Sequence, residues 1–178
     1  MHVTMIAAMA RNRVIGTGQG KIPWSLPRDR EHFRNFTKGK HLLLGRVTYE
    51  EMSGWFSDHT PIVLTRRVDY QPEGGKAAHS VEESLTLAAE DGARELCICG
   101  GAHIYQAALP YTDELHLTLV DTEAEGRVLF PDYEGGISWE KVSEESFPAD
   151  EENPHTMTFL HLQRKSPSSL RPSRMHWG

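Results

Sequence analysis

Apolar residues come in short runs, separated by polar stretches that carry glycine and proline, and the runs alternate between two periods. Val3–Met9 is an almost unbroken apolar run of strand length, which predicts a buried strand. Residues 10–25, with Gly16, Gly18 and Gly20, predict a loop. Residues 28–37 place Phe33 and Phe36 at helical spacing, and a short apolar strand follows at His41–Leu44. Gly45 opens a helix over Arg46–Met52, and Pro61–Thr65 returns to strand. Val81–Glu90 is a helix announced by Ser80 as N-cap with Glu83 three residues on, and Gly92 closes it. Glu95–Cys99 is a strand, Ala102–Leu109 a helix and Glu114–Val120 a strand. Trp139–Phe147 and Thr156–Gln163 are two strands joined by the acidic loop Ala149–Asn153. This alternation predicts an α/β domain with a mostly parallel sheet that ends in an antiparallel hairpin. Neither an internal repeat nor an interdomain linker interrupts the pattern.

The entry into the first helix carries the most chemistry. It reads Ile22-Pro23-Trp24-Ser25-Leu26-Pro27-Arg28-Asp29. Pro27 suits the first helical position, where its missing N–H costs nothing. Asp29 then falls in the first turn, where the helix dipole favours a negative charge. Phe33 and Phe36 share its helical face. A carboxylate on an apolar face is costly unless paired. Asp29 therefore meets a protein group, meets a cationic, hydrogen-bonding ligand, or swings back to water.

Two strand-to-helix junctions carry glycine where a phosphate can bind. They are Leu44-Gly45-Arg46-Val47-Thr48 and Cys99-Gly100-Gly101-Ala102-His103-Ile104-Tyr105. Neither matches the six-residue dinucleotide fingerprint, and each alone equally describes a tight turn. Two such turns on one sheet edge suit a ligand with several phosphates. Thr65-Arg66-Arg67 ends a strand with adjacent arginines, which either clamp a phosphate monoester or form a solvated strand end.

Composition narrows the class. The 178 residues suit one domain with a sizeable core, and 38% hydrophobic with 25% charged residues is the balance of a soluble globular protein. A net charge of −6 gives no support for a nucleic-acid partner. Residues 161–178 hold Arg164, Lys165, Arg171 and Arg174 and no acid. Residues 166–178 are expected to form a basic, disordered tail, which leaves residues 1–165 as the domain. The apolar run Val3–Ala10 has no basic residue before it and Arg11-Asn12-Arg13 directly after it, so it reads as a strand rather than a signal core. No run reaches membrane-spanning length. Cys97 and Cys99 stand two apart on one strand, poor geometry for a disulfide. They are expected as packed, reduced residues, which fits a cytoplasmic protein. No Cys-His cluster shows metal-ligand spacing, so no metal is expected.

Taken in order, these pieces resemble the dihydrofolate reductases of the bacterial chromosomal type, from about Val3 to about Arg164. The matching pieces are Ile6-Ala7-Ala8, Val14-Ile15-Gly16, Pro23-Trp24 through Asp29, Phe33, Gly45-Arg46 with Thr48, Gly100-Gly101 with Tyr105, Leu117-Thr118 and Phe130-Pro131-Asp132-Tyr133. The resemblance implies a twisted eight-stranded sheet flanked by four helices. It implies NADPH-dependent reduction of 7,8-dihydrofolate to tetrahydrofolate, in support of one-carbon metabolism and thymidylate synthesis.

It also implies site residues. Asp29 accepts hydrogen bonds from the pterin N3 and 2-amino group and polarises the ring, with Thr118 supporting the contact. The pterin pocket comprises Ile6, Ala8, Asp29, Phe33, Met52 and Thr118. The cofactor residues are Ala8, Ile15, Gly45, Arg46, Val47, Thr48, Thr65, Arg66, Gly100, Gly101, Ala102, His103, Ile104 and Tyr105. The peptide between the two matching glycines is cis in the family. The Asn12–Trp24 segment corresponds to a lid, with Ile22 and Trp24 as its apolar cover. Diaminopyrimidine or pteridine antifolates are the expected inhibitors, and the expected working form is a monomer without a membrane or nucleic-acid partner.

Two positions depart from the family pattern. His59 stands where an arginine commonly grips the glutamate tail of the folate, with Arg34 and Arg30 as substitutes. Arg127 follows Glu125-Gly126 where an acid often helps to hold the lid. Three alternatives stay open: a reductase of the same fold acting on a tail-less dihydropterin or a pyrimidine intermediate of riboflavin synthesis, a non-catalytic nucleotide-binding module, and an interaction protein working through its basic tail.

Overall fold

The Val3–Met9 run forms the interior strand β1 (His2–Ala10) of a sheet in the computed structural model, which describes residues 1–16 and 23–168. The chain continues through β2 (Val14–Gly16), α1 (Pro27–Thr37), β3 (His41–Gly45), α2 (Arg46–Glu51), β4 (Thr60–Leu64), β5 (Lys76–Ala78) and α3 (Val81–Glu90). It then adds β6 (Glu95–Gly100), α4 (Ala102–Ala108), β7 (Glu114–Val120), β8 (Val128–Leu129), β9 (Trp139–Phe147) and β10 (Met157–Arg164). Eight of the strands form one sheet in the order β5-β4-β3-β6-β1-β7-β10-β9. Pairing is parallel from β5 to β7, and β10 joins both β7 and β9 antiparallel. The mostly parallel sheet with a terminal hairpin is therefore present.

Side-chain alternation divides this sheet into two unlike faces. Val3, Met5, Ala7 and Met9 of β1 pack with Leu43, Ile62, Leu96, Ile98, Leu115 and Leu117 under α3 and α4. The other face holds smaller clusters. Ile6, Leu42, Leu44, Cys97 and Cys99 meet Phe33 and Phe36 of α1, and Leu26, Val120 and Met157 meet Trp24, Phe147 and Phe159. Polar residues run between these clusters on the same strand positions: Thr4 on β1, and Glu114, His116 and Thr118 on β7.

Helix starts follow their predicted chemistry, with two details the pattern hides. Ser80 Oγ accepts the Glu83 N–H at 3.0 Å, but the Glu83 carboxylate reaches back to the N–H of His79, one residue before the cap. At α1, Pro27 begins the helix without a side-chain cap from Leu26. The missing acceptor comes from the β9–β10 loop, where Asn153 Oδ1 takes the Arg28 N–H at 3.0 Å. Asp150 holds Asn153 in place through its backbone and amide N–H groups and pairs with Arg28 at 3.1 Å. The acidic loop thus docks on the positive end of α1.

Three short strands depart from the pattern. Val14–Gly16 lies within the predicted 10–25 loop and pairs with Val128–Leu129, and Lys76–Ala78 is the eighth strand of the sheet. Leu109 leaves the predicted helix for a 3-10 turn, Leu109–Tyr111. Cys97 and Cys99 are free and buried, with sulfurs 3.8 Å apart. Of the predicted tail, Ser166–Ser168 are described, and the Ser168 hydroxyl donates to the Pro110 carbonyl. The rest of that tail and residues 17–22 of the predicted lid, Ile22 included, lie outside the described residues.

Candidate active site

Between Val3 and Ala10, Ala8 alone is not buried, and this gap opens the α1 face of the sheet. Thr118 stands opposite Ala8 on β7, and Phe159 stands opposite Thr118 on β10. The first turn of α1 lays Asp29 over this row. Burial raises the Asp29 pKa above its ordinary carboxylate value, while a hydrogen bond from the Thr118 hydroxyl and the nearby His32 pull it down. His32 is one turn along the same helix and stacks on Phe159 with ring centres 4.1 Å apart. Burial lowers the His32 pKa, against the attraction of Asp29. The sequence reading missed His32, although the Asp29-x-x-His32 spacing signals a shared helix face.

One wall of the cleft is apolar. Phe33 and Met52 pack against the cluster that contains Ile6, and Phe33 lies 5.3 Å from the ring of Trp55. Trp55 in turn stacks on His59 at 4.2 Å. His59 Nε2 lies 3.4 Å from the Thr37 hydroxyl, while its Nδ1 is buried without a hydrogen-bond partner among the described residues. Burial lowers the His59 pKa, with Asp58 opposing. Arg34 and Arg30 are exposed on α1. Trp24 packs with Leu26, Val120 and Met157 at the opposite end of the cleft.

The predicted glycine junctions meet. Leu44 is in register with Gly100, so the ends of β3 and β6 are neighbours. The Gly100–Gly101 peptide is cis, and Gly100 has φ +113°, a region that favours glycine. A Cβ at Gly45 would lie 3.2 Å from Ile104, and one at Gly101 would lie 3.3 Å from the Thr48 hydroxyl. Neither α2 nor α4 receives a side-chain cap, and both helices start from the ends of these neighbouring strands. Exposed Val47 and His103 border that edge, with Ala102 beside them and Ile15 of β2 packed against the core behind.

Tyr105 is buried under the same edge. The β1–β6 register runs from His2 opposite Glu95 to Met5 opposite Ile98. Just beyond it, the Tyr105 hydroxyl donates to the carbonyls of Ile6 at 2.8 Å and Cys99 at 3.0 Å. Farther out, Arg46 is paired with Glu50 at 3.0 Å, and Arg66 is exposed. Thr65 Oγ1 accepts the Arg67 N–H at 3.1 Å, and its carbonyl accepts from His79 Nδ1 at 2.8 Å. His79 was missed from sequence; its place just before the Ser80 cap puts it at this strand end.

The start of the segment expected to form a lid is fastened without Arg127, which is exposed. Arg13, at φ +63°, donates through its guanidinium to the Phe130 carbonyl at 2.9 Å and accepts the Phe130 N–H at 2.8 Å. The Asn12 amide adds a bond to the Ala124 carbonyl at 2.9 Å.

The cleft thus joins a buried carboxylate, an apolar wall and a glycine-lined edge with arginines beyond it. That combination suits a flat, hydrogen-bonding ring beside a phosphate-bearing cofactor. The model of the dihydrofolate reductase family matches residues 2–164. The chain is 35% identical over 165 residues to dihydrofolate reductase type 3 of Salmonella typhimurium, covering 93% of this chain and 99% of that protein. It is 32% identical to dihydrofolate reductase of Bacillus subtilis, covering 93% and 96%. Among solved structures, dihydrofolate reductase from Enterococcus faecalis complexed with NADP(H) and RAB-propyl superposes with a TM-score of 0.82 at 35% identity, covering 93% of this chain and 97% of that one. The α1 carboxylate of this chain, its glycine edge and this likeness along nearly the whole length agree: the chain belongs to the dihydrofolate reductase family.

Proposed function

We propose that the chain reduces 7,8-dihydrofolate to 5,6,7,8-tetrahydrofolate, with Asp29 polarising the pterin. When bound at the glycine edge, NADPH would supply the hydride for pterin C6 from its nicotinamide C4, and water would supply the proton for N5. The half-buried Asp29 beneath which Ala8 opens the sheet carries this reading. Its carboxylate accepts hydrogen bonds from the ring N3 and 2-amino group, and Thr118 fixes its orientation. Burial raises its pKa above the ordinary carboxylate value, the direction that favours proton exchange at this position. The same carboxylate would pair with a protonated diaminopyrimidine antifolate. Phe33, Met52 and Ile6 hold the ring plane, and Trp24 helps to exclude water.

The glycine edge fits the cofactor. A Cβ at Gly45 or Gly101 would intrude on Ile104 or Thr48, so both turns leave room for close approach to backbone N–H groups. Arg46, Arg66 and Thr65 recognise the ribose 2′-phosphate, for which Arg46 exchanges its pairing with Glu50. His59 occupies the end of the apolar wall where the glutamate tail leaves the cleft, and because its Nδ1 is buried, a contact with the tail requires the ring to turn from its stack on Trp55.

NADPH oxidation with dihydrofolate tests the reading, set against a tail-less dihydropterin. Dihydrofolate should be turned over with NADPH well ahead of NADH. In Arg46→Ala/Arg66→Ala that preference should fall about tenfold or more with NADH use little changed. Equal loss with both cofactors would assign the arginines a structural role, and inactivity with every pterin would favour a nucleotide-binding module.

A further inference from the structure

The sheet places a second constellation on the α1 face that the reductase reading does not use. Glu114 and His116 alternate on β7 and so share a face, and His161 stands directly opposite His116 on β10. One ligand atom from each of Glu114, His116 and His161 lies within 4.8 Å of the others. His161 Nε2 is 2.9 Å from Glu114 Oε1, and the two imidazoles stack with centres 4.1 Å apart. His2, at the start of β1, holds the other oxygen of Glu114.

We propose that Glu114, His116 and His161 form a binding site for one borderline divalent cation, zinc being the best match. Two imidazoles and one carboxylate are a zinc ligand set, with remaining positions left to water. Ligand bonds of about 2.0–2.2 Å in a tetrahedral arrangement require ligand atoms about 3.4 Å apart. The observed spacing closes to that by side-chain rotation, because the Cβ positions are already set by strand register. His2 supplies the hydrogen bond that orients a ligating carboxylate.

A second observation points to a polar guest. Thr4 is 1% exposed, is in register with Glu114 on the same face, and its hydroxyl has no hydrogen-bond partner among the described residues. A metal-bound water would supply one. The neighbouring cation does not oppose binding at full strength: Lys40 is paired with Glu95 at 2.9 Å and lies over the Phe36 ring that tilts against His116. The site is reachable, since the side chains of His161 and Glu114 keep 24% and 19% of their exposure. Thr118 is the next residue on this face of β7, so a bound cation would stiffen the strand that carries the partner of Asp29.

The test uses the untagged full chain after treatment with a chelator. Cobalt(II) is followed by its visible ligand-field bands, and zinc by competition with a chromophoric chelator. The expected result is one ion per chain with Kd of about 1 μM, and a higher melting temperature with added zinc because the ion binds the folded chain. His116→Gln and His161→Gln should each weaken binding about tenfold or more, while His155→Gln should not. Circular dichroism and NADPH binding establish that each variant is folded; if His116→Gln is not, the more exposed His161→Gln decides. Binding weaker than about 100 μM, or affinity untouched by His161→Gln in folded protein, would overturn the proposal.

Discussion

The two faces of this sheet come from the same strands, one residue out of phase, yet they do different work. Under α3 and α4, the odd-numbered positions of β1 meet an unbroken apolar layer. Under α1, the even-numbered positions meet small apolar clusters divided by Thr4, Glu114, His116, Thr118 and Asp29. Stability is concentrated on the first face and chemistry on the second. A period of two lets one strand serve both, because a substitution at one position need not disturb its neighbour.

The sharpest way to break this contrast is on the dry face. Ile98 is fully buried in the layer beneath α3 and α4. Ile98→Ala should cost about 2–5 kcal/mol of unfolding free energy, with turnover per folded molecule nearly unchanged. Denaturant melts paired with kinetics check this, and a large loss of turnover at small cost in stability would erase the division.

Asp29→Asn should do the reverse. Turnover at neutral pH should fall about a hundredfold or more, which is about 2.7 kcal/mol of barrier. Stability should hold or rise, for a reason of sign. The folded Asp29 pKa is raised by burial, so protonation favours the folded state. Asp29 therefore removes stability as pH climbs from the ordinary carboxylate value through the raised one. Asparagine removes that penalty, so the variant should gain relative to wild type as pH rises through this window. Melting curves across pH would show it, and a variant that loses stability at neutral pH would contradict it.

The smallest effect sharpens the boundary of the working face. His59→Arg should tighten dihydrofolate binding by about 1–2 kcal/mol if a two-pronged contact with the tail carboxylate forms. A tail-less dihydropterin should be indifferent. The wild type should bind the tail better once His59 is protonated. Since burial lowers the His59 pKa from its ordinary value of 6.5, that gain belongs below pH 6.5. Titrations of both ligands across pH at fixed salt measure it; equal response of the two ligands would move the tail contact elsewhere, with Arg34 next in line.

Much of this was legible locally. Pro27 and the Ser80–Glu83 pair marked helix starts because caps are written in neighbouring residues. The boundaries of β7 and β9 followed from their own patterns. Asp29 stood out through its helical face alone. What escaped depends on register or on distant partners. The strands β2, β5 and β8 are two or three residues long, and only pairing across the fold defines them. Asn153 caps α1 from far along the chain. His116 and His161 meet because β10 inserts between β7 and β9, which no spacing along the chain records. Thr118 came from family resemblance, since its place beneath Asp29 is likewise a matter of register.

Tyr105 carries one further consequence. A ladder of backbone bonds can slip or breathe one rung at a time. Where β1 and β6 part, the carbonyls of Ile6 and Cys99 are instead spanned by a single phenol. Both carbonyls meet the same phenolic oxygen, so their separation at the mouth of the split is limited by two hydrogen-bond lengths to one buried group. Loss of that one hydroxyl would take a partner from both carbonyls at once, so a single side chain holds the fork between the two strands.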